Sequence, residues 1–304
     1  KAGLPEGVVN IVNGPGALTG HALVSSPRIA MTSFTGSTQV GRRVASIAAA
    51  NGTRLHLELG GKAPFVVFDD ADLDGAVRGA VAASLINAGQ DCTAATRAYV
   101  HQSCFDSFVD GVAELMRSAR LGPPTDADTD LGPLVSFRQR DRVAAMVERA
   151  KAAGARAVTG SGVPGGALAR GAYFEPTLLV DVDQRSEVVQ EEVFGPVLAV
   201  LPFERDEEAF NLANDVAFGL AASAWTRDVF RAQEAARSLD AGTVWINDHI
   251  PIVSEMPHGG TKASGYGKDM SSYSFEDYTQ VKHVMSDITA VATKPWHETV
   301  IAPR

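Results

Sequence analysis

The feature that most limits how this chain folds is its alternation of β-branched runs with amphipathic helical stretches, almost from end to end. Residues 8–12 and 28–34 read as strands, with a short helix after Gly14-Pro15-Gly16 between them. Residues 37–50 read as a helix carrying Val40, Val44 and Ile47 on one side. Strands follow at 54–59 and 64–68, and Asp72 is placed to cap a helix running through Leu85. The pattern continues with a strand around 99–100, helices over 105–121 and from Ser136 or Phe137 to Ala153, and a small-residue loop over 160–171. Strands at 178–182, 197–203, 222–225 and 243–247 then alternate with helices beginning at Asp206 and Asp228. Parallel strands need long crossovers and helices provide them, so the order predicts an α/β fold with largely parallel, helix-covered sheets.

At 304 residues there is material for about two domains. The net charge of −9 without a basic stripe argues against a nucleic-acid partner. No apolar run approaches the roughly 20 residues needed to span a bilayer, so no membrane role is expected. Two cysteines, Cys92 and Cys104, make no disulfide framework, and the default compartment is a reducing cytoplasm. The seven histidines show no ligand spacing and neither cysteine sits in a CxxC pair, so no metal is expected.

Three stretches carry candidate chemistry. Asn87-Ala88-Gly89-Gln90-Asp91-Cys92-Thr93 places a cysteine after a glycine turn, where backbone dipoles can lower a thiol pKa. Cys104, among Phe105 and Phe108, reads instead as a structural cysteine. In Leu57-Glu58-Leu59-Gly60-Gly61-Lys62 a carboxylate ends an apolar strand; burial would raise its pKa toward that of a general base. Its plainer reading is an exposed glutamate paired with Arg54 or Lys62. In Phe34-Thr35-Gly36-Ser37-Thr38-Gln39-Val40-Gly41 a strand feeds a helix N-terminus that favours a phosphate, although Ser37 could equally be a simple N-cap.

In this order the three stretches resemble the FTGSTxxG, LELGGK and GQxC motifs of the aldehyde dehydrogenase superfamily. Glu191-Glu192-Val193-Phe194-Gly195-Pro196-Val197, Trp245-Ile246-Asn247 and Gly259-Gly260-Thr261-Lys262-Ala263-Ser264-Gly265 extend the resemblance over nearly the whole chain. It implies parts of two Rossmann-like three-layer α/β/α domains plus an oligomerisation arm. Residues 1–61 would be the later part of a dinucleotide-binding domain and 62–260 the catalytic cysteine domain. Residues 261–287 would be a return segment with the oligomerisation strand, and 288–304 a loose tail. It also implies NAD or NADP as cofactor, a small-molecule aldehyde as substrate, and a homo-oligomer, dimer or tetramer. Cys92 would be the nucleophile and Glu58 the base. Gly36 and Ser37 would lie by the cofactor, Glu192 would hold its nicotinamide ribose, Phe194 would pack by the ring, and Leu59 would offer its backbone to the carboxamide.

The family's PWN asparagine and KPS lysine, upstream of the matching region, do not occur here. The chain therefore reads as N-terminally truncated, with weak NAD binding and slow turnover as the expectation, and an assembly or binding module as the alternative. Within the superfamily the resemblance is to aminobutyraldehyde (4-aminobutanal) dehydrogenases, carried by residues 89–95 and 252–260. It implies Asp91 as ammonium contact with Glu255 second, and Thr93, Ile252 and His258 along the substrate path. Asp91 could equally be a loop-bonding carboxylate. Residues 278–285 read as an exposed strand similar to the family's oligomerisation arm, or as an ordinary edge strand.

Overall fold

The computed structural model describes residues 3–300. Its elements are α1 (Thr19–Val24), β1 (Met31–Thr35), α2 (Thr38–Ala50), β2 (Arg54–Glu58), β3 (Ala63–Val67), α3 (Leu73–Leu85) and β4 (Ala95–His101). Then come α4 (Phe105–Ser118), α5 (Phe137–Ala152), β5 (Arg156–Thr159), β6 (Thr177–Val180), α6 (Glu187–Gln190), β7 (Val197–Phe203) and α7 (Asp206–Asn214). The chain continues through β8 (Phe218–Gly219), β9 (Ala221–Trp225), α8 (Val229–Ser238), β10 (Thr243–Ile246), β11 (Thr261–Lys262), β12 (Gly265–Tyr266) and α9 (Ser271–Tyr278).

Local chemistry explains most helix starts. Ser37, Asp72, Ser136 and Asp228 each stand at an N-cap and accept a backbone N–H from two or three residues ahead. The large sheet runs β10-β9-β3-β4-β7-β6-β5, parallel throughout except for the β5 edge. Its central strands are buried on both faces, as parallel sheets require, with Phe65, Phe68, Phe108, Leu198 and Phe203 at the centre of the core. Pro64 has no N–H to give the ladder, and the β3–β4 register slips there, pairing Ala63 with Ala95 but Pro64 with Arg97. A smaller sheet, β1-β2-β12, is parallel between β1 and β2 and antiparallel at β12. It has its own core of Val24, Val44, Ala48, Leu57 and Leu59. The short pair β8–β11 joins the segments before β9 and after β10.

Two expected strands are not formed. Residues 8–12 carry no strand, and Val8, Val9, Ile11 and Val12 are between 59% and 84% exposed. Residues 278–285 begin at the last residue of α9 and continue without regular structure, with Val281 98% exposed. Both segments have strand-like patterns, but a strand exists only where a neighbour takes its backbone groups, and among the described residues none lies alongside. Helix α4 stops at Ser118 rather than reaching 121, the 160–171 loop contains a 3-10 turn at Gly166–Arg170, and another, Pro295–Glu298, interrupts the expected loose tail. Lys1 and Ala2, at the expected domain start, and 301–304 of the tail lie outside the described residues.

Candidate active site

The site is built where β1 and β2 end beside the loop that precedes β4. In the parallel β1–β2 pair Thr35 lies opposite Glu58, and the Gly36 N–H donates to the Glu58 carbonyl (3.0 Å). Ser37 caps α2, its Oγ accepting the Val40 N–H at 3.4 Å, as the simple N-cap reading expects, and this helix N-terminus lies at a cleft. After Glu58 the chain passes through Gly60, where a side chain would displace the end of Glu192, and Gly61, where one would collide with backbone. A Cβ on Gly60 would meet the Glu192 carboxylate at 2.5 Å, and one on Gly61 would meet the Cys92 carbonyl oxygen at 2.1 Å. The Gly61 N–H donates to Glu192 Oε1 (3.1 Å), so the double glycine joins base strand, nucleophile loop and Glu192.

The loop that carries Cys92 is strained. Asn87, Ala88 and Gly89 follow one another with φ of 50°, 56° and 69°, in the left-handed region that costs non-glycine residues energy. Reciprocal bonds hold the turn: Asn87 Nδ2 donates to the Gln90 carbonyl and Gln90 Nε2 to that of Asn87. Gln90 Oε1 accepts the Val135 N–H. Gly89 approaches the Gly195 carbonyl so closely that a Cβ would sit 2.2 Å away, which docks this loop on the Glu192–Phe194 segment. That segment is held by Arg142 and Gln139, which donate to the carbonyls of residues 192–194; Phe194 itself is left-handed at φ 55°. Downstream of Cys92, buried His249 faces the Thr93 carbonyl and the Ser223 hydroxyl at 2.8 Å each.

These contacts set the charges. Cys92 is partly buried and its thiol is pushed up to about 12, by desolvation first and then by Asp91, Glu58 and Glu192. The expectation of a lowered thiol pKa is therefore corrected: burial first, and then the three carboxylates, outweigh the backbone dipole. Glu58 is 4% exposed and is raised to about 7, by burial first and by Asp269, against an opposing Lys268. That is the environment of a base held near neutrality, not of the exposed edge glutamate. Neither proposed partner serves it: Arg54 donates to the Thr279 carbonyl, and Lys62 is itself buried and lowered to about 7, by desolvation and then Arg97. Glu192 is also raised by burial, with the Gly61 N–H pulling the other way.

One cleft of about 820 Å³ is lined by Cys92, Glu58, Gly36, Ser37, Leu59, Glu192 and Phe194 together, with Asp91 on its wall. The Leu59 N–H is already given to the Ser264 carbonyl, which leaves its own carbonyl to offer. Asp91 Oδ1 accepts from both the N–H and the hydroxyl of Thr93 at 2.7 Å, so this oxygen is loop-bonding. Thr93 is buried under that turn, while Ile252 and Glu255 stand exposed on a loop and do not line the cleft. His258 faces the base, its Nδ1 3.6 Å from Glu58 Oε2. Cys104 lies outside the cleft with its Sγ 3.3 Å from the His101 carbonyl.

Sequence reading missed His56 and His249. His56 was legible: two residues before Glu58 on one strand, it shares that residue's face. Its Nε2 lies 3.4 Å from Glu58 Oε1 and 3.6 Å from Asp269 Oδ1, a group that histidine spacing does not reveal. His249 carries no such signal, because its partners Thr93 and Ser223 come from distant segments.

The chain belongs to the aldehyde dehydrogenase family, whose sequence pattern matches residues 1–284. Its α/β fold is that family's fold, with a largely parallel sheet. It is 42% identical over 284 residues to the betaine aldehyde dehydrogenase of Sinorhizobium fredii, and equally to betaine aldehyde dehydrogenase 1 of Rhizobium meliloti. Both alignments cover 93% of this chain and 58% of the relative, so the chain spans a little over half the length of these proteins. Among solved structures, the NAD+ complex of an aldehyde dehydrogenase from Bacillus cereus superposes with a TM-score of 0.92 at 39% identity, covering 94% of this chain and 58% of that one. Betaine aldehyde dehydrogenase from Staphylococcus aureus with NAD+ gives 0.91 at 37% identity, covering 96% and 59%. The similarity thus points to betaine aldehyde dehydrogenases where the motifs suggested aminobutyraldehyde enzymes.

Proposed function

We propose that this chain carries the thiol and the base of an NAD(P)-dependent aldehyde oxidation, acting on an aldehyde with a cationic ammonium group. The observation that carries the proposal is the single cleft shared by Cys92, Glu58, Glu192 and the α2 N-terminus. A dinucleotide fits the residues present. The first residues of α2 line the cleft, a helix N-terminus suited to a phosphate, and the half-buried Glu192 carboxylate is suited to ribose hydroxyls. Bound, the cofactor would supply the hydride acceptor.

Cys92 Sγ attacks the aldehyde carbon to form a thiohemiacetal, and oxidation leaves a thioester on the same sulfur. The backbone N–H of Cys92 is the candidate donor to the oxyanion. Glu58 takes a proton from the water that hydrolyses the thioester, and its value of about 7 suits it to do so near neutral pH. The thiol must lose its proton before attack, against the carboxylate field, so a cationic group in the cleft favours the reactive form.

The same negative field selects the substrate class. Betaine aldehyde, named for the relatives, and 4-aminobutanal, suggested by the motifs, share a positively charged nitrogen. Asp91 beside the nucleophile is the candidate contact through the oxygen its turn leaves over. Replacing Asp91 with Asn raises KM for cationic aldehydes more than for neutral aldehydes of equal length; equal effects would remove Asp91 from recognition. Cys92→Ser abolishes aldehyde-dependent NADH formation and aldehyde protection against iodoacetamide, and persistence of either would overturn the assignment. Residues 278–285 are proposed as an arm that pairs with a second copy, supported by the exposure of Val281, Val284 and Met285; sedimentation of a Val281→Lys, Met285→Lys variant unchanged from wild type would refute it.

A further inference from the structure

A base that is 4% exposed needs a way to lose the proton it gains in each turnover, or it stays protonated after the first. Resting on the function proposed above, we propose that His56 relays the proton from Glu58 to Asp269 and Asp277, two partly exposed carboxylates.

Alternation along β2 sets His56 and Glu58 on the same face, and the His56 ring is wholly buried. His56 Nε2 lies 3.4 Å from Glu58 Oε1 and 3.6 Å from Asp269 Oδ1, while Nδ1 lies 4.0 Å from Asp277 Oδ2. The side chains of Asp269 and Asp277 are 46% and 32% exposed, against 5% for Glu58. The geometry is supported on every side. His258 and Asp269 exchange backbone hydrogen bonds of 2.9 and 2.7 Å, and the Lys268 N–H donates to Asp277 Oδ2 at 3.0 Å. Gly267 clamps the ring, since a Cβ there would fall 2.7 Å from His56 Cδ2, and Tyr278 closes the far side with ring centroids 6.4 Å apart.

The charged or titratable groups facing His56 are Glu58 on β2, Asp269 after β12 and Asp277 on α9, with His258 and Lys268 beside Glu58. Lys268 Nζ is engaged by the Gly259 carbonyl at 2.7 Å. His258 also approaches Glu58, at 3.6 Å; neither its Nε2 nor His56 Nδ1 makes a hydrogen bond, but His56 has Asp269 and Asp277 within 4.0 Å, whereas among the described residues His258 pairs with no second carboxylate. Distances of 3.4 to 3.6 Å are long for transfer at rest, and such contacts tighten when a substrate complex forms.

The proton balance is simple. Neutral His56 with its hydrogen on Nδ1 presents the Nε2 lone pair to protonated Glu58. The O–H bond of Glu58 breaks, an N–H forms at Nε2, and a carboxylate and an imidazolium result. Loss of the Nε2 proton to Asp269 restores the starting tautomer directly; loss from Nδ1 to Asp277 leaves the other tautomer. The proton then leaves the exposed carboxylate to water.

The test compares wild type, His56→Gln and His56→Ala in rapid-mixing assays with NAD+ and an aldehyde. Gln keeps a polar group near the Nε2 position but neither takes up nor releases a proton. Expected are an unchanged NADH burst in both variants, a steady-state rate reduced on the order of 100-fold, and partial rescue of His56→Ala by added imidazole. Burst and steady state falling together, or no rescue, would overturn the relay. A second readout lies at the acceptors: the Asp269→Asn, Asp277→Asn double variant should spare the burst and slow the steady state, and an unchanged steady state would overturn the relay. A wild-type chain without a burst overturns the aldehyde-oxidation reading and the relay with it, whereas a normal burst with an unaltered steady state in the His56 variants overturns the relay alone.

Discussion

Replacing Glu58 with Gln should flatten the pH dependence of stability, and the size of the effect follows from its burial. Its carboxyl is raised from 4.5 to about 7, chiefly because burial penalises the ionised form, with Asp269 adding and Lys268 opposing. The sign is that of a carboxylate protonated more readily in the fold than in the unfolded chain. The folded state is favoured most below the unfolded value, loses stability as pH rises from 4.5 to about 7, and lies on a lower plateau above that. The full gap between 4.5 and about 7 is worth about 3 kcal/mol, and most of it is traversed between pH about 5 and about 8.5. Urea unfolding of wild type and Glu58→Gln at several pH values in this window measures it. The variant should gain about 2–3 kcal/mol relative to wild type across the window. A difference constant to within about 0.5 kcal/mol would refute the claim that Glu58 is buried and titrates near neutrality. If Glu58 is the base of the proposed oxidation, the same ionisation should give thioester hydrolysis an acid limb centred near 7.

Gly61→Ala places a Cβ 2.1 Å from the Cys92 carbonyl oxygen, which is backbone and does not swing away. It should cost about 1–3 kcal/mol in unfolding free energy and slow Cys92 alkylation markedly. Gly60→Ala meets the end of the Glu192 side chain instead, and should spare alkylation while weakening NAD+ binding measured by calorimetry; matching effects would contradict this division. With its thiol pushed up to about 12, Cys92 in the ligand-free chain should react with iodoacetamide at a rate rising about tenfold per pH unit from neutral pH to about 9. A plateau near pH 7 would contradict the carboxylate field. Asp70 accepts from the Thr226 hydroxyl, the N–H groups of Arg227 and Asp228, and the Arg231 guanidinium at 2.8–3.0 Å. Asp70→Ala should lower stability by about 2 kcal/mol by thermal unfolding, and a change under about 0.5 kcal/mol would show the cluster to be solvent-compensated.

Much of the fold is legible in the sequence because its causes are local. Asp72, Ser136 and Asp228 announce helices through bonds reaching only two or three residues ahead, and those helices begin next to them. The apolar run of β7 matches its predicted limits because a strand buried on both faces must be apolar at every position. Strand-like segments at 8–12 and 278–285 show the limit of such reasoning: alternation is local, but a strand's existence depends on a neighbour. The short β12 had no local signal, and it forms because Gly265, at φ 109°, lies flat against the Leu57 carbonyl.

The site divides in the same way. By itself the sequence determined the candidates, since Cys92, Glu58, Glu192 and the cap Ser37 lie in short motifs that resemble those of the family. Only the tertiary structure decided how those groups are charged. Burial and carboxylates from separate segments raise the Cys92 thiol against what its own turn predicts. The approach of Asp269 and Asp277 to β2 turns an ordinary strand histidine into the neighbour of the base. A cap acts through bonds a few residues long, whereas a pKa sums desolvation and Coulomb effects over everything folding brings near.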